Sequence, residues 1–259
     1  MNILDLFKLD GKVAVVTGAA GQLGFGFSKA LAEAGAVVLM ADLELGECRE
    51  KEKLLRESGS VDVYSLELDV AQAESIKSMT KQVLMKFKKI DILINNAGVG
   101  VYTPFSKRTS DEYNIVMDVN VRGTLFCTQI ISKEMQTNGG SIINIGSIYG
   151  LVSPDPAIYG DSGRNSSEVY GASKAAIIQM TKYFAVHLAK FNIRVNCLSP
   201  GGVFASQKDS FVNNYNQKAP LGRMAKESDL SGALVFLASE ASSYMTGHNL
   251  VVDGGFTIW

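Results

Sequence analysis

The stretch VVTGAAGQLGFG, residues 15–26, sets three glycines directly behind a short apolar run. Gly18, Gly21 and Gly24 recur every three residues and lead into a helical pattern. Because glycine has no Cβ, such a turn can be tight, can approach a pyrophosphate closely and can pack a helix against a strand. A helix that begins behind the turn offers free N–H groups and its positive dipole end to phosphates. The stretch therefore predicts a strand, a phosphate-binding turn and a helix.

Outward from this unit, short apolar runs alternate with helical patterns. The predicted strands are KVAVVT (12–17), AVVLMA (36–41), VDVYSLEL (61–68), DILIN (91–95), SIINIGS (141–147), IRVNCLS (193–199) and NLVVD (249–253). The predicted helices are FSKALAEAG (27–35), AESIKSMTKQVLMKF (73–87), TLFCTQIISKEM (124–135), ASKAAIIQMTKYFAVHLAKF (172–191) and SDLSGALVFLAS (228–239). Nearly continuous apolar strands are typical of parallel strands covered on both faces. We expect an α/β Rossmann fold, one domain over residues 1–259, with helices on both faces of a doubly wound seven-stranded parallel sheet.

The composition excludes several other classes of protein. Apolar residues make up 46% and charged residues 20%, and the net charge of −1 gives no overall field to attract nucleic acid or an anionic membrane. The N-terminus does not resemble a signal peptide and no apolar run is long enough to span a bilayer, so we expect a cytoplasmic protein without nucleic-acid or membrane partners. Three widely spaced cysteines and two histidines indicate neither a disulfide framework nor a metal site.

Asp42 ends the second predicted strand, eighteen residues after Gly24. A carboxylate there can accept hydrogen bonds from both hydroxyls of an adenosine ribose, and it repels a 2′-phosphate. The loop 19–25 holds no cationic side chain that would bind such a phosphate. We therefore expect NAD(H) rather than NADP(H). A helix N-cap at Asp42 is a structural alternative that is compatible with this role.

A second informative stretch is SIYGLVSPDPAIYGDSGRNSSEVYGASK, residues 147–174. Tyr159 lies twelve residues after Ser147, whereas Tyr170 lies eleven residues further on and has Lys174 one helical turn behind it. Tyr159 has a glycine at the corresponding place. Since nearby positive charge favours a phenolate, we expect Tyr170 to be a base whose pKa is lowered by Lys174 together with the positive nicotinamide of the oxidised cofactor. An isolated Tyr-x-x-x-Lys pair is also typical of an ordinary amphipathic helix.

Motifs along essentially the whole chain resemble the short-chain dehydrogenase/reductase superfamily. They are TGAAGQLG (17–24), LDV (68–70), NNAG (95–98), MDVNVRG (117–123), Ser147, YGASK (170–174), SPGG (199–202) and TGHNLVVDGG (246–255). The resemblance implies hydride transfer between nicotinamide and a secondary alcohol or ketone. It implies four catalytic residues, in which Tyr170 moves the proton, Ser147 donates to the substrate oxygen, and Asn120 holds a water that links Lys174 to solvent.

The same resemblance implies a cofactor site and an assembly. Asp69 and Val70 would border the adenine, residues 96–98 the ribose, residues 200–203 the nicotinamide, and Leu23 would lie under the pyrophosphate. The expected cofactor residues are Gly18, Gly21, Gln22, Leu23, Gly24, Asp42, Leu43, Asp69, Val70, Asn96, Ala97, Gly98, Tyr170, Lys174, Pro200, Gly201 and Val203. The resemblance further implies a homotetramer, and the apolar tail 255–259 is typical of an interface or of packing against the body.

Two positions depart from the superfamily pattern. The glycines are spaced T-G-x-x-G-x-x-G, as in a longer branch that acts on nucleotide sugars, whereas the downstream motifs match the shorter branch. Ala205 stands where a threonine often follows the Pro-Gly turn, and Ser206 or a backbone N–H is the candidate for its contact to the carboxamide. The resemblance therefore predicts the cofactor but not the substrate.

The substrate prediction rests on the extra length before Tyr170. Residues 151–169 are interpreted as an insertion that forms a lid, and their charged and hydroxyl side chains are typical of a site for a sugar or sugar-phosphate derivative. Arg164, which could bind a phosphate or carboxylate, and Tyr149 are the candidate substrate residues. A solvated loop at a subunit contact is the alternative. SIYGLVSPD, NIRVNCLSPGG, PLGRM and VDGGFTIW also resemble flagellin-modification (PtmA-like) oxidoreductases of nonulosonic acid sugar pathways.

Two rival functions stay open on the sequence. A 3-oxoacyl thioester reductase predicts NADPH use and a basic surface for an acidic carrier, and neither is evident. A non-catalytic nucleotide-binding regulatory protein would have no need of the complete Asn-Ser-Tyr-Lys set.

Overall fold

The strands of the computed structural model, which describes residues 2–59, 62–160 and 165–259, form one parallel sheet. They are β1 (Val13–Thr17), β2 (Val37–Asp42), β3 (Val63–Glu67), β4 (Ile92–Asn95), β5 (Gly140–Ile145), β6 (Ile193–Pro200) and β7 (Asn249–Val252). The strand order is β3-β2-β1-β4-β5-β6-β7, so the winding reverses between β1 and β4. Open parallel sheets bind ligands at the carboxyl ends of their strands beside such a reversal, and this places the site.

Helices cover both faces of the sheet. They are α1 (Gln22–Glu33), α2 (Leu45–Glu57), α3 (Ala73–Phe87), α4 (Ser110–Val116), α5 (Thr124–Met135), α6 (Pro156–Tyr159), α7 (Glu168–Leu188), α8 (Asp209–Lys218) and α9 (Ser228–Ala238). A π-helical segment, Met117–Gly123, joins α4 to α5. Helices α1, α2 and α9 share one apolar cluster with the sheet, and α3, α5 and α7 share another. The predicted single-domain Rossmann fold is confirmed.

Strand β1 shows why the strand sequences are apolar without interruption. Ala14 and Val16 belong to the cluster with α1 and α9, whereas Val13 and Val15 belong to the cluster with α3 and α5. All four side chains are buried. Since both faces of the strand are covered, no position along it favours a polar residue.

Two predicted boundaries shift at the site. The fifth strand ends at Ile145 rather than at Ser147, because the Ser147 Oγ accepts a hydrogen bond from the Tyr149 N–H (3.1 Å) and begins a short 3₁₀ turn. Helix α7 begins four residues before its predicted start, because the Ser167 side chain caps it by accepting from the Tyr170 N–H (3.2 Å). Ser147 and Tyr170 therefore both lie at points where a regular element ends or begins.

Helix α2 was not predicted from the sequence. Its side chains are mostly charged, and only Cys48 and Leu55 are buried, so the apolar periodicity is too sparse to indicate a helix. Helix α6 lies inside the predicted insertion and has proline at its first position, where proline is tolerated. None of the helices in the described ranges has the length and apolar character needed to cross a bilayer.

Candidate active site

The glycine turn after β1 is a cradle that larger residues cannot form. Gly18 has φ +64°, and a Cβ added there would lie 2.8 Å from the Ala97 Cα. A Cβ on Gly24 would overlap the Gly18 carbonyl oxygen and lie 2.7 Å from the Ala19 Cα. Gly21 is the N-cap of α1, so the first free N–H groups of that helix open into the cradle. These features fit the pyrophosphate of a dinucleotide.

Asn96 fastens this turn to the end of β4. Its side-chain amide donates to the carbonyl oxygens of Thr17 and Gly18, both at 3.0 Å. The N–H groups of Asn96 and Ala97 donate to the Thr17 hydroxyl at 3.1 and 3.0 Å. The residues expected beside the ribose therefore also hold the phosphate-binding turn in place.

Asp42 fixes the other side of the turn. One carboxylate oxygen accepts from the Ala20 N–H (2.8 Å) and the other from the Glu44 N–H (3.0 Å). Helix α2 has Glu44 as its N-cap, so the alternative that Asp42 caps a helix is wrong. Each carboxylate oxygen of Asp42 keeps a lone pair for a further donor. Lys51, which the sequence analysis did not identify, donates to the Ala20 carbonyl from the other side.

A cleft of about 870 Å³ runs along the carboxyl edge of the sheet, from Asp42 past Tyr170 to Met224. Every residue of the expected cofactor set lines it, as do Ser147 and Tyr149. Tyr159 and Ser166, which belong to the segment 151–169, also line the cleft. The lining residues that were not expected from the sequence include Glu44, Glu47, Leu68, Val99, Gly100, Val101, Tyr102, Val119, Gln207, Lys208, Phe211, Tyr215 and Met224. The candidate substrate residue Arg164 lies outside the described residues.

Ser147, Tyr170 and Lys174 meet in the middle of the cleft. Burial raises the pKa of Tyr170 to about 12, and a hydrogen bond from the Ser147 side chain acts in the opposite direction. The predicted lowering of the Tyr170 pKa by Lys174 is therefore not what the protein alone produces. The Lys174 Nζ lies 5.6 Å from the centre of the Tyr170 ring and donates to the Ile145 carbonyl at 2.7 Å. Burial lowers the pKa of Lys174 to about 8.

Asn120 lies behind the cleft, fully buried in the π-helical segment. Its side-chain oxygen accepts from the Val99 N–H (2.8 Å), and its amide group donates to the Val99 carbonyl and the Ser173 hydroxyl, both at 3.0 Å. These three bonds tie the loop after β4 to α7. That Asn120 holds a water stays a prediction. Its side-chain oxygen keeps one lone pair that could accept a hydrogen bond from that water.

Two glutamines hold the segment after β6. Gln22 was expected beside the cofactor, but its bond to this segment and the role of Gln207 were not predicted. The Gln22 amide donates to the Phe204 carbonyl at 2.7 Å, linking the glycine turn to this segment. Gln207 accepts from the Ala205 N–H (2.7 Å) and donates to the Val203 carbonyl (2.9 Å). Ser206, with φ +58°, is exposed and is not among the lining residues, so Gln207 rather than Ser206 stabilises the turn where the threonine is missing.

The far end of the cleft has a wall, called the aromatic wall below, formed by the rings of Tyr149, Tyr159, Phe211 and Tyr215 together with the side chain of Met224. The rings of Tyr159 and Phe211 lie 5.3 Å apart. The Tyr215 hydroxyl accepts from the Gly202 N–H at 2.5 Å. Phe211 and Tyr215 are one helical turn apart on α8, a spacing that could have indicated a shared face.

Comparison with known proteins agrees with this geometry. A family model described as Enoyl-(Acyl carrier protein) reductase matches residues 18–257. The 3-oxoacyl-[acyl-carrier-protein] reductase FabG of Thermotoga maritima is 34% identical, over 97% of this chain and 100% of its own. The ribulose-forming D-arabinitol 2-dehydrogenase of Candida albicans is 33% identical, over 100% of this chain and 97% of its own.

Solved structures show the same architecture. A short-chain dehydrogenase of Leptospira borgpetersenii with bound NAD⁺ is 40% identical with a TM-score of 0.88, covering 99% of this chain and 96% of that one. A gluconate 5-dehydrogenase of Burkholderia cenocepacia in complex with NADP and tartrate is 29% identical with a TM-score of 0.91, covering 100% of both chains. The chain therefore belongs to the short-chain dehydrogenase/reductase family and is an oxidoreductase that acts on CH–OH groups with a nicotinamide cofactor.

Proposed function

We propose that the protein is an NAD(H)-dependent oxidoreductase that interconverts a secondary alcohol and a ketone on a sugar or sugar-phosphate derivative. The observation that carries the proposal is one cleft with a dinucleotide cradle at one end and Ser147, Tyr170 and Lys174 between that cradle and the aromatic wall. A bound nicotinamide supplies the hydride chemistry. The protein's own residues must position the substrate and move the proton.

Tyr170 exchanges the proton with the substrate oxygen. The Tyr149 N–H donates to the Ser147 Oγ, so the Ser147 hydroxyl keeps its hydrogen for the substrate oxygen or for the Tyr170 oxygen. A donor in that position favours the phenolate, in line with the direction in which Ser147 moves the pKa of Tyr170. With its pKa lowered to about 8, Lys174 can gain or lose a proton close to neutral pH and can relay it away from Tyr170.

The preference for NAD(H) is supported by the charge at the adenosine end. The carboxylates of Asp42, Glu44 and Glu47 line the cleft there and repel a 2′-phosphate. Lys51 lies nearby, but it donates to the Ala20 carbonyl and is not among the lining residues. Fluorescence titration with NADH and with NADPH tests the preference. We expect NADH to bind roughly tenfold tighter or more, and tighter binding of NADPH would refute the role of Asp42.

The substrate class is supported by two similar proteins whose names specify polyols or sugar acids, D-arabinitol and gluconate dehydrogenases. None of the relatives named above bears out the narrower likeness to flagellin-modification oxidoreductases, so a nonulosonic sugar is one member of the proposed class. A 3-oxoacyl thioester reductase is the second candidate, because FabG of Thermotoga maritima aligns over its full length.

A substrate panel decides between the candidates. The enzyme is supplied with NAD⁺ and with glycerol, D-arabinitol, D-gluconate and sugar phosphates, and separately with NADPH and acetoacetyl-coenzyme A. We expect NADH formation with members of the first set. NADPH consumption with the thioester and no turnover of any polyol or sugar would overturn the proposal in favour of the second candidate. Cofactor binding without turnover of either set would favour a regulatory role.

We also propose that residues 151–169, of which 161–164 lie outside the described residues, form a lid over the substrate end and that the protein is a homotetramer. The lid is supported by Tyr159 and Ser166, which both line the cleft. The assembly is supported by apolar side chains left on the outer face of α7, where Tyr183 and Val186 are 59% and 75% exposed.

A further inference from the structure

Helix α6 carries Tyr159 to the aromatic wall and is fixed there by polar contacts. Asp155 caps the helix by accepting from the Ala157 N–H at 2.9 Å, and it forms an ion pair with Lys218 at the end of α8. The Asn214 amide on α8 donates to the Ala157 carbonyl at 3.2 Å. The part of the insertion that ends at Tyr159 is therefore held on α8, and Tyr159 itself is only 8% exposed.

The hydroxyl groups of Tyr159 and Tyr149 form a pair. The Tyr159 hydroxyl donates to the Tyr149 oxygen at 3.2 Å, a bond that uses the Tyr159 hydrogen. The Tyr149 hydroxyl keeps its own hydrogen, and both oxygens keep lone pairs for a ligand. Burial, together with Tyr159, raises the pKa of Tyr149, so the group stays a neutral phenol that can both donate and accept.

The rest of the aromatic wall offers little hydrogen bonding. Phe211 and Met224 have apolar side chains, and the Tyr215 hydroxyl is occupied by the Gly202 N–H. Among the described residues that line the cleft, the ammonium groups are those of Lys174, which donates to a backbone carbonyl, and Lys208, which is exposed. The tyrosine pair therefore presents neutral hydroxyls within an uncharged surface, which suits an uncharged ligand better than an anion.

We infer that the paired hydroxyls of Tyr149 and Tyr159 recognise a second hydroxyl group of the substrate, so that the enzyme selects neutral polyols over alcohols with a single hydroxyl. This inference rests on the proposed function, because it concerns the same cleft. It gives Tyr159, which lies twelve residues after Ser147, a part in substrate recognition. The insertion would then supply a specificity-determining residue.

The test compares two alcohols of equal chain length, D-arabinitol and 2-pentanol, in NAD⁺-dependent oxidation. Tyr159→Phe and Tyr149→Phe remove one hydroxyl each and keep the rings. We expect each variant to lose roughly tenfold or more in kcat/KM for D-arabinitol and to stay within about twofold of the wild type for 2-pentanol. Tyr113→Phe, an exposed tyrosine on α4 that does not line the cleft, is the matched control and should change neither value.

Several results would overturn the inference: an equal loss with both alcohols, no loss with D-arabinitol, or a wild type that prefers 2-pentanol. Ligand-observed NMR of D-arabinitol with the NADH-loaded protein provides a readout that needs no turnover. Binding to the wild type that Tyr159→Phe abolishes supports the recognition role even where the proposed reaction fails. If glycerol, D-arabinitol and other neutral polyols are neither bound nor turned over, the recognition role of the tyrosine pair is refuted. If sugar phosphates alone are turned over, the proposed function stands and the recognition role is refuted.

Discussion

Lys174 carries its amino group in a place that water hardly reaches, since the residue is only 4% exposed. Burial lowers its pKa from 10.5 to about 8, so the protonated form destabilises the fold, whereas the proposed reaction needs a proton carrier there. The hydrogen bond to the Ile145 carbonyl offsets only part of the free-energy cost of burying this charge. The stability of the fold therefore favours an uncharged side chain at position 174, whereas the proposed activity requires the amino group.

Lys174→Met should therefore stabilise the protein near neutral pH while abolishing turnover. Between pH 8 and pH 10.5 the unfolded lysine still binds a proton that the folded one has lost, so the unfolding free energy of the wild type should rise relative to that of the variant. The expected slope is roughly 1 kcal/mol per pH unit. Urea unfolding of both proteins at several pH values across this window measures it. A difference that does not depend on pH would contradict the assignment.

Gly24 and Gly232 form a matched pair for testing the cradle. A Cβ on Gly24 would overlap the Gly18 carbonyl oxygen, whereas one on Gly232, exposed on α9, would meet nothing within 4 Å. We expect Gly24→Ala to cost about 2 kcal/mol of unfolding free energy and to weaken NADH binding. Gly232→Ala should gain about 0.5 kcal/mol or more and leave binding unchanged. Full NADH affinity in Gly24→Ala would show that the turn does not need this geometry.

Most of the expected cofactor residues belong to motifs at strand ends, and their place in one cleft was predictable because the sheet brings strand ends together without further information. The hydrogen-bond partners of these residues could not be predicted in the same way. Gln22 bonds to Phe204, and the two residues lie 182 positions apart in the sequence. Likewise, the raised pKa of Tyr170 follows from the depth of the cleft, a quantity that a Tyr-x-x-x-Lys spacing does not contain.

At the scale of elements, Arg108 joins two walls of the cleft. Its guanidinium donates to Glu168 on the first turn of α7 (3.0 Å), to Glu112 on α4 (3.1 Å) and to the Thr103 carbonyl (2.7 Å). Its side chain is 10% exposed. Through these bonds α4 and the loop after β4 are held against the helix that carries Tyr170.

Arg108→Met should release this connection. We expect a double-mutant cycle of Arg108→Met with Glu168→Gln to give a coupling free energy of about 1 kcal/mol, because a guanidinium held by several partners loses little entropy on pairing. Arg122→Met is the control, since its ion pair with Asp118 lies within one exposed helical segment and should contribute nothing measurable. Urea unfolding provides all four free energies. A coupling no larger than that of the Arg122 pair would show that Arg108 does not link the elements.

Predictions for elements succeeded where an apolar stripe was continuous. Helices α3 and α5 have the predicted bounds, and the strands shift by two residues at most at either end. Helices α2 and α8 were not predicted, because few of their side chains are buried. Their stability comes from contacts that an apolar periodicity in the sequence does not reveal.

At the scale of the whole molecule, the reversal of the strand order between β1 and β4 explains why one continuous cleft holds both halves of the site. The C-terminal tail, residues 255–259, contacts helix α8 beside this cleft. Phe256 stacks on Tyr215 with ring centres 4.8 Å apart, and the Trp259 indole donates to the Lys218 carbonyl at 2.9 Å. One of the two expectations for the tail was that it packs against the rest of the protein, and Phe256 does so. Ile258 and Trp259 remain 78% and 79% exposed.

The exposed apolar side chains predict a homotetramer in solution. Burying Tyr183 and Val186 of α7 against other copies removes apolar surface from water, which favours association. Size-exclusion chromatography with light scattering should give four times the chain mass of 27.9 kDa. Val186→Lys should shift the population to smaller species, with Lys53→Met on exposed α2 as a control. A stable wild-type monomer would contradict the prediction.

The proposed role of Tyr170 is tested most directly by the turnover of Tyr170→Phe, measured as NADH formation with the best substrate of the panel and compared with NADH binding by fluorescence. Tyr170 lines the cleft beside Ser147 and carries the hydroxyl that is proposed to move the proton, and phenylalanine keeps the ring that packs in the cleft. We expect a loss of roughly a thousandfold in kcat, with NADH affinity within about twofold of the wild type. A variant that retains a tenth or more of wild-type turnover would show that the proton is handled elsewhere.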